Sequence, residues 1–231
     1  MGTNLSVAQL ANMIDHTLLK ADATKEGFVK LCQEADNYGF KMVAINSAPV
    51  ALCAKLLQDS DVHVGAAIAF PLGQTTIDTK VFEVQDAIEN GADEIDYVIN
   101  VQQLKEGNDM YIRTEMEKIV AVCREKNIIS KVIFENCYLT EDEKIRVSKI
   151  AKEVKPDYIK TATGFGTGGA TIEDVKLMKS IVGDDVKVKA AGGIRNLATA
   201  LAMIEAGATR IGTSSGINII EEYKKQKGEN S

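Results

Sequence analysis

Tyr158-Ile159-Lys160-Thr161-Ala162-Thr163-Gly164 is a short β-rich run that closes in a glycine loop, GFGTGG at Gly164–Gly169. One helix later comes Val186-Lys187-Val188-Lys189-Ala190-Ala191-Gly192-Gly193, a second strand-like run that also carries lysines. Strand, helix, strand in this order predicts a parallel βαβ unit. Its strands are normally near-continuous apolar runs, because both faces are covered. A lysine inside such a run is therefore anomalous. It is either a structural cation paired with a buried carboxylate, or an amine whose charged form is disfavoured by burial and by a neighbouring cation. In the second case it is a free amine near neutral pH, as Schiff-base chemistry with a carbonyl requires.

The same alternation runs outward to both ends of the chain. Strands are expected at Asn12–Thr17, Met42–Asn46, His63–Phe70, Glu94–Asn100, Lys131–Asn136, Tyr158–Thr163, Val186–Ala190 and Arg210–Thr213. Helices are expected between them at Lys25–Tyr38, Thr76–Asn90, Asp109–Lys126, Glu141–Glu153, Ile172–Val182 and Leu197–Ala206. In the second of these, Val81, Val84, Ala87 and Ile88 recur at helical spacing. Gly39, Gly91, Gly183 and Gly207 stand where helices should stop. Eight β–α units without a linker predict one domain over residues 1–231, an α/β fold of the (β/α)8 TIM-barrel kind. A short helix near Ser6–Asn12 should plug or flank its base. An open doubly wound sheet is the alternative, weakened because no GxGxxG follows the first strand.

Composition excludes several function classes. A net charge of −6 without a basic block, no Trp and 5% aromatics argue against nucleic acid as a partner. No run of about 18 apolar residues suggests a membrane span. Cys32, Cys53, Cys123 and Cys137 lie far apart, and His16 and His63 are the only histidines. A Cys/His metal cluster is not expected, and neither is a cofactor. An intracellular, cytoplasmic protein with reduced thiols fits this usage.

Side chains alternate across a strand, and in a barrel the active site lies at the carboxyl ends of the strands. Asp96 points opposite to Ile95 and Tyr97, Lys160 opposite to Ile159 and Thr161, and Lys187 and Lys189 opposite to Val186 and Val188. With the apolar partners facing the helices, a carboxylate and several lysines converge on the barrel axis.

These residues resemble deoxyribose-phosphate aldolases, a family of class I aldolases with a (β/α)8 barrel. The likeness runs from Ile14–Leu19 (IDHTLL) to Ile211–Gly216 (IGTSSG), through Phe70–Gly73, Lys80–Glu83 (KVFE), Gly91–Asp96, Lys160–Thr171, Val188–Arg195 and Ala202–Gly212. The resemblance implies a lyase that reversibly cleaves 2-deoxy-D-ribose 5-phosphate to glyceraldehyde 3-phosphate and acetaldehyde without a metal. Its substrates are then small phosphosugars and aldehydes, and a homo-oligomer, dimer or tetramer, is expected. By the same resemblance Lys160 is the Schiff-base lysine, Lys189 its neighbouring cation, Asp96 a proton-transfer partner and Asp15 a supporting group. The phosphate pocket maps onto Gly164, Gly192, Gly193, Ser214 and Ser215, with no arginine clamp.

The chain departs from the family pattern in places. Ala44-Ile45-Asn46-Ser47 replaces a CVNP run, Ala162 stands where serine is common, and Glu135-Asn136-Cys137 replaces ETG. None of these removes a residue with a covalent role. Lys187 has no motif role and is expected in a structural ion pair or on the barrel floor. His16 and His63 are expected to be structural. Fold alone does not separate this reading from another lysine aldolase, a transaldolase or a non-catalytic phosphosugar-binding barrel.

Overall fold

Along each strand, branched apolar residues alternate with small or charged ones, and this parity decides which side faces which solvent-free layer. The computed structural model describes residues 5–228. In chain order its elements are α1 (Val7–Ala11), β1 (Ile14–Thr17), α2 (Lys25–Tyr38), β2 (Met42–Asn46), α3 (Val50–Leu56), β3 (His63–Ile68), α4 (Ile77–Glu89), β4 (Glu94–Val98) and α5 (Val101–Lys105). There follow α6 (Asp109–Glu125), β5 (Ile129–Ile133), a 3₁₀ turn at Asn136–Tyr138, α7 (Glu141–Val154), β6 (Tyr158–Lys160), α8 (Ile172–Val182), β7 (Lys187–Ala191), α9 (Leu197–Glu205), β8 (Arg210–Thr213) and α10 (Gly216–Lys227). The strands pair in sequence order, all parallel, and β8 closes on β1. The closed (β/α)8 barrel is as expected, and the open-sheet alternative is excluded.

Ile45, Ile95, Tyr97, Val132, Ile159 and Ile211 are fully buried in the layer between barrel and helices. Each such aliphatic side chain contributes roughly 1.5–3 kcal/mol by leaving water. The helices start where a side chain can take up a free amide. Thr24, Thr76, Asn108, Thr140, Thr171 and Asn196 each accept a hydrogen bond from the backbone N–H three residues on. Such caps are worth about 1 kcal/mol each. Ser6 and Gln9 form a capping box on α1, which flanks the barrel beside α10. Among the described residues no helix is long and apolar enough to cross a membrane.

The strands are shorter than expected where polar residues follow them. β6 ends at Lys160 rather than Thr163, because Thr161 turns its hydroxyl to the Ala191 carbonyl and Thr163 bonds Glu135. β4 ends at Val98, and Asn100 caps α5 instead. β5 starts two residues early, at Ile129, and ends at Ile133. The short helices α3 and α5 were not expected.

Candidate active site

Strand register brings the charged residues together. Lys160 is the direct neighbour of Lys189 across β6–β7, and Asp96 of Lys131 across β4–β5. Adjacent strands lie about 4.8 Å apart, so the two amines of β6 and β7 share one face at close range. Both reach for Asp96 Oδ2, Lys160 Nζ at 2.9 Å and Lys189 Nζ at 2.7 Å. The other oxygen, Asp96 Oδ1, takes Lys131 Nζ at 2.5 Å.

From Asp96 the ion pairs continue around the barrel and close on themselves. Lys131 also pairs with Glu94 at 2.5 Å, Glu94 with Arg210 at 3.3 Å, Arg210 with Asp15 at 2.6 Å, and Asp15 with Lys189 at 2.5 Å. Signs alternate at every step. Lys131, Lys189 and Arg210 are balanced by Asp15, Glu94 and Asp96. Lys160 is attached to this ring as a further cation without a carboxylate of its own. All seven side chains are buried. Met42, packed into the space left by Gly65, lies beneath Lys131 with its sulfur 3.4 Å from Nζ.

The balance decides where protons sit. Burial alone would raise the Asp96 carboxyl, but the Lys131, Lys160 and Lys189 ammoniums hold it well below the usual range. Glu94 is likewise lowered, burial being overcome by Lys131, His63 and Arg210. Lys131 and Arg210 are raised by their carboxylates against the pull of burial. Lys160 moves the other way, down to about 8. Burial is the largest cause, and Lys189 and Lys131 add to it against the attraction of Asp96. Both causes expected from the sequence, burial and a neighbouring cation, act here, and desolvation is the larger. At pH 7 an amine of pKa about 8 is roughly one-tenth neutral, against about three in ten thousand for an ordinary lysine.

The cleft above these residues has a volume of about 360 Å³. Lys160, Gly164, Gly192, Gly193 and Ser214 line it, together with Lys20, Arg195 and the Thr17–Leu19 segment. Ser215 does not. Its backbone N–H donates to the Thr213 hydroxyl at 2.9 Å as α10 begins. Arg195 lies on the cleft wall, where the sequence suggests no arginine clamp. Gly192 has φ +91°, and its missing Cβ lets Gly169 of the GFGTGG loop pack against it. The Ala170 N–H donates to the Gly192 carbonyl at 3.0 Å, tying that loop to the end of β7.

Other expected residues settle elsewhere. Lys187 is exposed at the start of β7, with its amine 5.5 Å from the Tyr158 ring centre, so it is on the floor and has no share in the ring. His16 faces outward, is buried, and pairs with Glu34 at 2.8 Å. His63 joins the floor, with Nδ1 2.7 Å from Glu94 Oε1 and Nε2 3.0 Å from the Lys41 amine. Lys131, Glu94 and Arg210 were not singled out from the sequence. Lys131 faces inward like Asp96, but its place beside that carboxylate follows only from the β4–β5 register.

The KVFE run on α4 fixes the rim. Lys80 is fully buried and donates to Glu115 at 2.6 Å and to the Val98 carbonyl at 2.7 Å, while Glu115 accepts the Asn100 N–H. Burial lowers Lys80 and raises Glu115, against their attraction for each other. Glu83 accepts from the Ser47 hydroxyl and the Ala69 N–H, joining the ends of β2 and β3. Lys80→Met leaves a buried Glu115 unpaired and should cost about 3–5 kcal/mol. Thermal melting should fall on the order of 10 °C. An unchanged melting temperature would show that the pair contributes nothing.

Barrel and amine together set the class: a (β/α)8 enzyme built for carbonyl chemistry. The chain belongs to the DeoC/LacD family of aldolases, whose model matches residues 10–222. It is 60% identical to a deoxyribose-phosphate aldolase of Lactobacillus acidophilus, over 93% of this chain and 90% of that one. It is 58% identical to the enzyme of that name from Bacteroides thetaiotaomicron, over 97% and 94%. A solved structure of an Aeropyrum pernix deoxyribose phosphate aldolase, described as a unique tetramer, superposes with a TM-score of 0.89 at 31% identity, covering 96% of this chain and 93% of that one.

Proposed function

We propose that the protein is a metal-independent aldehyde-lyase that reversibly cleaves 2-deoxy-D-ribose 5-phosphate to D-glyceraldehyde 3-phosphate and acetaldehyde. The observation that carries the mechanism is the unmatched, partly neutral Lys160 amine facing the cleft beside Asp96 and Lys189. Its nitrogen attacks the C1 aldehyde of the open-chain sugar and water leaves, forming an imine. A base removes the C3 hydroxyl proton, the C2–C3 bond breaks, and its electron pair flows into the imine as an enamine. C3 becomes the carbonyl carbon of glyceraldehyde 3-phosphate. The enamine takes a proton at C2, and hydrolysis releases acetaldehyde and the free amine. We assign the proton transfers to Asp96, with Lys189 holding it in place and Asp15 holding Lys189. Borohydride trapping with substrate, followed by peptide mapping, should place the adduct on Lys160. An adduct on Lys189 or Lys187 overturns the assignment.

The phosphate is assigned to the other end of the cleft, where the loops after β7 and β8 and the N-terminus of α10 meet, a frequent phosphate site in barrels. Gly192, Gly193 and Gly164 allow close approach to backbone N–H groups, Ser214 adds a hydroxyl, and Arg195 and Lys20 add positive charge. Binding energy there positions C1 beside Lys160. Ser214→Asp should raise KM for the phosphorylated sugar by at least about tenfold through charge repulsion and leave the weak activity on deoxyribose nearly unchanged. Equal loss on both substrates would put the phosphate elsewhere.

A homo-oligomer in the cytoplasm completes the proposal. The described tetramer of the Aeropyrum pernix relative supports the first part, and four free cysteines support a reducing compartment.

A further inference from the structure

The reaction uses Lys160, Asp96 and Lys189, yet the ion-pair ring descends to Glu94 and Arg210 at the opposite end of the barrel. Arg210 and Glu94 stand at the first positions of β8 and β4, facing inward. Neither lines the cleft. A buried pair of this kind is costly to desolvate and is often replaced by apolar residues without loss of stability. Stability alone is thus a weak reason for it.

We propose that Glu94 and Arg210 are positioning residues for the aldol reaction. They close the ring beneath Lys160 and hold its net charge at zero, which leaves Lys160 as the group that gives up its proton. Geometry sets this out. Arg210 anchors Asp15, which orients Lys189; Glu94 anchors Lys131, which orients Asp96. Both arms end on the carboxylate that holds Lys160. The charged and titratable groups around the pair are Asp15 on β1, His63 on β3, Lys131 on β5, Lys189 on β7 beside Arg210, and Tyr158 on β6, whose ring lies 5.2 Å from the guanidinium and also carries the Lys187 amine. Lys41 stands behind His63. Lys160 itself faces Asp96, Lys189 and Lys131. The ring's remaining ion pairs are direct contacts between buried side chains, so a charge removed at the floor is felt by Lys160 through a medium far less polarisable than water.

The inference rests on Lys160 being the imine-forming lysine, and one experiment separates the two. The pH dependence of borohydride trapping by deoxyribose 5-phosphate is measured in the wild-type protein and in four variants. If wild-type label does not map to Lys160, the functional reading fails. If it does, the floor variants decide the inference. Arg210→Met leaves the ring one carboxylate in excess, holds the proton on Lys160, and should move the rising limb up by about one pH unit, a tenfold loss of trapping rate at pH 7. Glu94→Gln leaves one cation in excess. Lys160 is the cation that loses its proton most easily, so the limb should move down by a similar amount. The double variant is neutral again, and its limb should return to the wild-type position. Arg210→Lys keeps the charge and should keep the limb in place. A purely structural role lowers the amount of folded protein but shifts no limb. A limb that stays at the wild-type pH in either soluble single variant overturns the proposal. If neither single variant is soluble, Arg210→Gln and Glu94→Asn, which keep a polar side chain at each position, are read by the same rule: limbs moved up and down respectively support the charge balance, and an unmoved limb in either refutes it.

Discussion

Lys160→Met should fold, melt no lower than the wild type, and release acetaldehyde from deoxyribose 5-phosphate at least about 10⁴-fold more slowly, because no other group can replace the covalent step. Both halves of this outcome follow from the same geometry. Lys160 is the buried cation that the ring does not balance. Folding must strip it of water, and burial is what pushes its amine down to about 8. Methionine is of similar length and carries no charge, so the desolvation cost disappears while the ring of three cations and three carboxylates stays closed. In the wild type, trapping should rise with pH along a limb centred near 8, since only the neutral amine attacks. Enzyme assays, borohydride labelling and thermal melts on the two proteins check all three statements. A variant that melts well below the wild type would mean that Lys160 stabilises the barrel. Retained turnover would mean that another amine forms the imine.

How much of this was legible in the sequence depended on contrast. Lys160, Lys189 and Asp96 stood out because each interrupts an otherwise apolar strand, and parity alone placed them on one side. Asp15 was found through the IDHTLL run and sits where it can hold Lys189. Glu94 and Arg210 stand at the first positions of their strands, and Lys131 opens the strand expected from the sequence, where a charged residue reads as a boundary facing water. Nothing in a single strand says that three such boundaries meet. That requires the register of β4 against β5 and of β8 against β1, which is set by closure of the whole barrel. Ser215 stands just outside the cleft lining, and a turn at the end of β8 commits its N–H to Thr213. The floor histidine His63 was read as packing, and its two partners come from neighbouring strands that no spacing rule connects. Strand ends were overextended wherever threonine or asparagine followed, since these residues favour strands and caps alike and only their hydrogen bonds distinguish the two.

Asp96→Asn separates imine formation from proton transfer and should affect them in opposite ways. Asp96 accepts from three ammoniums, and its removal leaves Lys131, Lys160 and Lys189 with only Glu94 and Asp15 between them and Arg210. Positive charge is then in excess, the Lys160 amine loses its proton more readily, and the imine should still form at pH 7. An asparagine amide cannot take the C3 hydroxyl proton or return one to the enamine. Turnover should therefore fall by about 10²–10⁴-fold, the usual contribution of a positioned acid–base group. The variant should trap substrate on Lys160 with borohydride at least as fast as the wild type while releasing little acetaldehyde. A single-turnover experiment resolves the two phases. Slow trapping together with slow release would mean that Asp96 acts mainly by placing Lys160. Turnover near that of the wild type would remove Asp96 from the proton path and leave the carboxylate to hold the three lysines.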